Sequence, residues 1–205
     1  MHAFTLRPAR PADAAALAAL GERTFRDSFA AHNRPEDMDA YVGLAYGEAL
    51  QASELADPEV AVLVAESAAG GEMIGYAVVR APAAGATKAA AAAEGDEVPP
   101  CVTGPAPVEL ARLYVERAWH GHGVGEALMR GVVDAARARG GRTLWLGVWE
   151  HNPRARAFYA KWGFREVGEH PFPLGADIQR DILLARRLHL ETDGPGESGG
   201  QGDRT

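Results

Sequence analysis

Val108-Glu-Leu-Ala-Arg-Leu-Tyr-Val115-Glu-Arg-Ala-Trp-His120-Gly121-His122-Gly123-Val124-Gly125-Glu126 is the stretch that decides the fold. An apolar run ending at Val115 predicts a strand. A short polar link follows, and three alternating glycines stand just before a helical pattern. Glycine in that rhythm admits positive φ and close approach of a ligand to the main chain. Bare N–H groups at a helix start form an anion seat, so the stretch predicts a loop that holds the phosphates of a cofactor. Two common phosphate loops are excluded. A dinucleotide fingerprint needs a sixth-position glycine where Glu126 stands, and no Gly-Lys-Ser/Thr run exists for a nucleoside triphosphate. The plain alternative is a tight strand-to-helix connection.

Upstream of this stretch, Phe4–Arg7 alternates as a strand, and Pro8 and Pro11 stop it. Asp13 is placed to cap a helix that carries Leu17, Leu20, Thr24, Phe25 and Phe29. Pro35 opens a second helix with Met38, Tyr41, Val42 and Ala45 at helical spacing. Residues 58–65 and 73–80 read as strands, joined by a turn at Ala68-Ala69-Gly70-Gly71. Downstream, Val124, Leu128, Val132 and Ala135 form one helix face, ended by Gly140-Gly141. Arg142–Trp149 is apolar on both faces, as a central strand is. Asn152 and Pro153 suit the N-cap and first turn of a helix that carries Ala155, Phe158, Tyr159 and Trp162. Strands at 164–168 and 181–188 follow. The order β-α-α-β-β-β-α-β-α-β-β implies an α/β (α+β) fold, a mixed sheet with helices on its faces.

The 205 residues predict a single domain over 1–188 with a full core. Residues 81–107, rich in Ala, Gly and Pro, are expected to be a flexible insertion between the third and fourth strands, and 189–205 a disordered tail. The net charge of −7 sits mostly in these two segments, −2 and −3 respectively, which weakens any argument from overall acidity to a cationic partner. No dense basic stripe interleaved with aromatics points to nucleic acid. No apolar stretch is long enough to span a membrane, and no secretory leader is visible. Cys101 is the single cysteine, so no intramolecular disulfide forms and a cytoplasmic location is expected. A homodimer is compatible with the sequence.

His120-Gly121-His122-Gly123-Val124-Gly125 after an apolar strand resembles the pyrophosphate loop of the GNAT superfamily of acetyl-CoA-dependent N-acetyltransferases, with His120 where that pattern has Gln or Arg. Asn152, Ala155, Phe158-Tyr159 and Trp162-Gly163-Phe164 resemble the superfamily's strand-5 to helix-4 signature, about 30 residues further on. Thr24-Phe25, Asp27, Phe29, Pro35-Glu36-Asp37-Met38 and Tyr41, with residues 145–150, Phe172, Gly175 and Asp181, look like the bacterial spermidine/spermine acetyltransferases of the Pai type.

The resemblance covers residues 3–188. It implies a mostly antiparallel sheet of about seven strands flanked by about four helices, acetyl-CoA as co-substrate, and a small primary amine, of polyamine type, as acceptor. It further implies direct attack of the amine on the thioester. Backbone N–H groups around Leu113, Tyr114 and Val115 would polarise the carbonyl and pair with the pantetheine arm. His120, Gly121, His122, Gly123, Val124, Gly125 and Glu126 would hold the pyrophosphate, with Asn152 and Tyr159 also at the cofactor. Tyr159 is the candidate donor to the departing thiolate. Full transfer from a phenol near 10 to a thiolate near 8.5 is uphill by about 2 kcal/mol, so the expected role is a hydrogen bond to developing charge.

Some protein N-terminal acetyltransferases carry a Glu twelve residues before this tyrosine, where Gly147 stands here. Glu109 is therefore the candidate base, through water. Glu36, Asp37 and Asp39 are expected to attract a polycation, although a solvated helix start explains three acids equally well. His120 and His122 lack a third ligand nearby, so no metal is expected. Cys101 lacks an oriented base and carries no nucleophilic role. The same chemistry on an amino-sugar antibiotic, another amine metabolite or a protein amine is the alternative, and a non-catalytic acetyl-CoA sensor is the more distant one.

Overall fold

The computed structural model describes residues 3–81 and 98–188. Alternation at the start of the chain gives β1 (Phe4–Pro8), which pairs antiparallel with β2 (Val60–Ser67) from Phe4↔Ser67 to Pro8↔Leu63. Between them lie three helices: α1 (Ala14–Phe29), α2 (Pro35–Ala45) and α3 (Glu48–Ala56). Asp13 does not cap α1 with its side chain. Its carboxylate turns back to Arg7 at 2.6 Å and accepts from the Arg10 backbone N–H at 2.6 Å. The pattern reading passes over α3 because its inward positions are polar: Gln51 and Glu54 are buried.

β2 forms a hairpin with β3 (Met73–Arg80), turning at Gly71 with φ +70°. β4 (Pro107–Val115) pairs antiparallel with β3, and the register slips between Val78 and Val79, leaving Ala111 as an extra residue in β4. α4 (Val124–Ala138), β5 (Thr143–Trp149), α5 (Pro153–Lys161), β6 (Arg165–Leu174) and β7 (Asp177–Arg187) complete the chain. The seven strands run in the order β1-β2-β3-β4-β5-β7-β6. β4 and β5 are the parallel pair, joined only over Pro107–Glu109 and Thr143–Trp145; every other neighbour is antiparallel.

Leu128, Val132 and Val133 of α4 pack with Ala77, Val79, Leu144, Leu146 and Val148 on one face of the sheet, joined by Tyr159 of α5 and by Trp162 at its C-terminal end. On the other face Leu17 and Leu20 of α1 pack on Val62, Val64, Tyr76 and Val78. Within the segment expected to be a flexible insertion, residues 82–97 lie outside the described residues. Its C-terminal part packs: Val102 is buried against Trp145 and Leu183, and Thr143 Oγ1 donates to the Pro105 carbonyl at 2.9 Å. The expected tail, 189–205, also lies outside the described residues. Among the described residues no helix is long and apolar enough to cross a membrane.

Candidate active site

Parallel pairing of β4 with β5 stops at Glu109 and Trp145. Beyond that point β4 stays bonded to β3 and β5 to β7, so the two central strands part and leave a V in the sheet. A cavity of about 580 Å³ occupies the V and reaches both faces. Ala155 and Tyr159 of α5, with Asn152 at its N-cap, line it on the α4/α5 side, and Phe25, Tyr41, Phe172 and Asp181 line it from the other.

The chain brings Tyr159 there through a well-specified helix. Asn152 caps α5 by accepting from the Ala155 N–H at 3.0 Å, and Pro153 occupies the first turn. Gly163, at φ +80°, reverses the chain so that the Phe164 N–H reaches the Tyr159 carbonyl at 3.1 Å. Trp162 and Phe164 are buried beside it. Burial alone pushes the Tyr159 phenol well above its usual range, so the group at the cavity wall is a neutral O–H donor.

Of the residues singled out in the sequence, the cavity gathers Glu109, Leu113, Tyr114, Asn152 and Tyr159. Val115 and residues 120–126 lie outside its lining, on the continuation of β4 into α4. His120 ties that turn together: its Nε2 bonds the Val115 carbonyl at 2.8 Å, and Nδ1 meets the Arg154 guanidinium. Because a carbonyl only accepts and a guanidinium only donates, the proton sits on Nε2. Burial lowers the His120 pKa, with the nearby arginines adding to the effect, so the ring stays neutral. Gly121 and Gly123 have φ of +79° and +83°, which a side chain adopts only under strain. Gly123 is the N-cap of α4, and the first helical bond runs from the Ala127 N–H to its carbonyl, leaving the N–H groups of Val124, Gly125 and Glu126 without helical acceptors. Gly125 lies against α5, where an added Cβ would stand 3.7 Å from Phe158.

The sheet's other face carries what the sequence did not assign. Phe25 stacks on Tyr41 at 4.8 Å, Tyr41 meets Phe172 at 5.1 Å, and Phe29 meets Trp149 edge-on at 5.5 Å. Arg112 sits 5.6 Å over the Tyr46 ring and binds the buried Glu54 through two bonds of 2.7 and 2.9 Å, with Arg80 on the same carboxylate. Desolvation pushes the Asp181 carboxyl up to about 6, partly offset by His170. Asp181 and Phe172 figure in the sequence only as residues of a resemblance. Their convergence on one wall depends on strand pairing that no local pattern reveals.

Glu36, Asp37 and Asp39, expected to attract a polycation, lie outside the cavity lining. Glu36 is exposed at the start of α2. The Asp37 carboxylate is buried, bonded to Arg34 at 2.9 Å and to the Ala176 N–H at 2.7 Å. Asp39 pairs with Arg26 at 2.8 Å on the surface. Helical geometry turns Asp37 inward and leaves Glu36 and Asp39, three residues apart, on the exposed side. Among the described residues no cluster of three or more His, Cys, Asp or Glu could hold a metal.

The sheet thus parts between its fourth and fifth strands, and a glycine turn leads into a helix beside the gap. The acetyltransferase (GNAT) family model matches residues 25–164. The chain is 32% identical over 170 residues to an uncharacterized N-acetyltransferase of Lactobacillus delbrueckii subsp. lactis, covering 83% of this chain and 89% of that one. It is 34% identical over 176 residues to an uncharacterized N-acetyltransferase of Mycobacterium tuberculosis, covering 86% and 98%. The PaiA N-acetyltransferase of Thermoplasma acidophilum, solved in complex with coenzyme A, shares the fold at a TM-score of 0.66 and 15% identity, over 90% of this chain and 99% of that one. The chain belongs to the acetyltransferase (GNAT) family and is an N-acetyltransferase.

Proposed function

We propose that the protein transfers the acetyl group of acetyl-CoA to a primary amine, by direct attack within a ternary complex, and that the acceptor is a polyamine such as spermidine or spermine. The observation that carries this reading is the cavity through the V, which lets two substrates meet from opposite faces of the sheet. In this reading the main chain of Leu113, Tyr114 and Val115, unpaired toward β5, receives the pantetheine as an added strand and polarises the thioester carbonyl. The turn from His120 to Glu126 takes the pyrophosphate on its open N–H groups. Asn152 holds the start of α5 so that the Tyr159 hydroxyl faces the sulfur.

The acceptor enters from the aromatic side. Phe25, Tyr41, Trp149 and Phe172 offer ring faces to a cationic chain, and Glu109 and Asp181 offer carboxylates. The amine nitrogen bonds to the carbonyl carbon, the carbon–sulfur bond breaks, and the thiolate gains a proton with Tyr159 as donor. Across the reaction an ammonium loses two protons, one to the thiol and one to solvent. Thiol release from acetyl-CoA across a panel of spermidine, spermine, amino sugars, amino acids and a peptide N-terminus tests the reading. Turnover with spermidine or spermine is expected, and their inertness beside another active amine removes the polyamine claim.

A further inference from the structure

We propose that Asp181 of β7 is the base that takes the proton from the acceptor ammonium, at the point where β5 has parted from β4. This rests on the transferase reading above and names the group that starts its chemistry.

Three placements converge on this carboxylate. The first is the face. Asp181 stands opposite Trp149 of β5 and His170 of β6 in the strand register, and it lines the cavity from the side that holds Tyr41 and Phe172. Tyr159 enters from the opposite side on α5. An amine attacking a thioester whose sulfur faces Tyr159 therefore arrives over Asp181. The second is the level along the V. Gly147 lies two residues beyond Trp145, the last β5 residue paired with β4. A Cβ at Gly147 would stand 3.0 Å from Asp181 Oδ2 and 3.4 Å from His170 Nε2. Absence of a side chain at 147 thus gives the carboxylate its opening. Glu109 lies instead at the closed end of the V, in register with Trp145 and Arg80.

The third is the surroundings. His170 of β6 and Tyr41 of α2 are the ionisable groups that act on or sense Asp181, and β5 presents Gly147 and Trp149 to it. Glu109, Arg80 and Arg112 are the remaining charged groups of the cavity wall. With no cation bonded to it among these contacts, burial dominates and lifts the carboxyl from 3.8 to about 6. That makes proton capture from an alkylammonium about a hundredfold more favourable than by an ordinary aspartate. His170 Nδ1 donates to the Pro171 carbonyl at 2.8 Å, which leaves Nε2 facing the Gly147 opening.

The step balances. Asp181 removes one proton from the ammonium, and the freed lone pair forms the carbon–nitrogen bond. The second proton lost from nitrogen restores the one Tyr159 gives to sulfur, and Asp181 returns its proton to solvent past His170.

The test compares the full-length wild type, Asp181→Asn and Glu109→Gln, each checked for folding by melting and for coenzyme A affinity by calorimetry. The acceptors are the alkylamine most active in the panel and hydrazine, a much weaker base, compared near pH 9 where hydrazine is mostly neutral. The wild type is expected to show an acid limb in kcat/KM for the alkylamine with a midpoint near 6. Asp181→Asn is expected to lose that limb and at least about a hundredfold in kcat/KM, to bind coenzyme A unchanged, and to keep hydrazine turnover within about threefold. Glu109→Gln is expected to keep the limb. A limb that survives in Asp181→Asn or vanishes in Glu109→Gln overturns the assignment, as does equal loss on both acceptors. Should Asp181→Asn not fold, a wild-type profile flat from about pH 5 to 8 overturns it alone. Wild type inert toward every amine overturns the transferase reading itself.

Discussion

The carboxylate of Asp37 accepts a hydrogen bond of 2.7 Å from the backbone N–H of Ala176, fastening α2 to the turn between β6 and β7. Gly175 makes this approach possible: at φ +60°, a Cβ there would stand 2.6 Å from the Asp37 Cα. The contact positions Tyr41 and Phe172 against each other at the cavity wall.

Asp37→Ala is therefore expected to lower the melting temperature by a few degrees and to leave the KM for acetyl-CoA unchanged. Bonds from Arg34 first, and then from Ala176, hold the Asp37 carboxyl below its usual range. A folded-state pKa below the unfolded one gives stability that is present above the unfolded value of 3.8 and lost as pH falls through the folded one. Melting followed from neutral pH downward should show the wild-type and Asp37→Ala curves converging in acid below about pH 4.

The Tyr159 side chain is buried and its phenol stays protonated, so Tyr159→Phe changes a donor without changing shape. The variant should retain its melting temperature and its KM for both substrates within about threefold, and lose at least about tenfold in kcat. Turnover within about twofold of wild type would remove Tyr159 from the thiolate's path.

Gly123 caps α4 at φ +83°, with open space where a Cβ would stand. Gly123→Ala therefore costs conformational energy without a clash, about 1 kcal/mol. The same strain should distort the N–H groups of the turn, raising the KM for acetyl-CoA several-fold while kcat holds. Calorimetric titration with coenzyme A measures it directly.

Glu54 is buried between Arg80 and Arg112. Glu54→Gln leaves two guanidinium groups facing one neutral amide and is expected to destabilise the fold by about 3 kcal/mol. Urea unfolding measures the loss. A change below about 0.5 kcal/mol would show the network to be surface-like in energy.

These predictions separate what local sequence carries from what pairing creates. The cap at Asn152 and the turn glycines at 121 and 123 were legible because each depends on its own few residues. The mostly antiparallel sheet of about seven strands came with the resemblance that two motifs carry. α3 was missed because Gln51 and Glu54 occupy its inward face, so no apolar period marks it. Three acids at the start of α2 read as one patch, yet the helix turns Asp37 inward and Asp39 outward. Asp181 gained its place only when β7 laid it over Gly147, 34 residues earlier in the chain. The aromatic wall likewise gathers Phe25, Tyr41 and Phe172 from three elements.

The central claim is that two substrates meet in one cavity through the parted strands. Initial rates measured with acetyl-CoA and spermidine varied together test it most directly. Attack within a ternary complex predicts double-reciprocal lines that intersect, with Cys101→Ala unchanged. Parallel lines would contradict it, since they require an acetyl-enzyme formed before the amine binds.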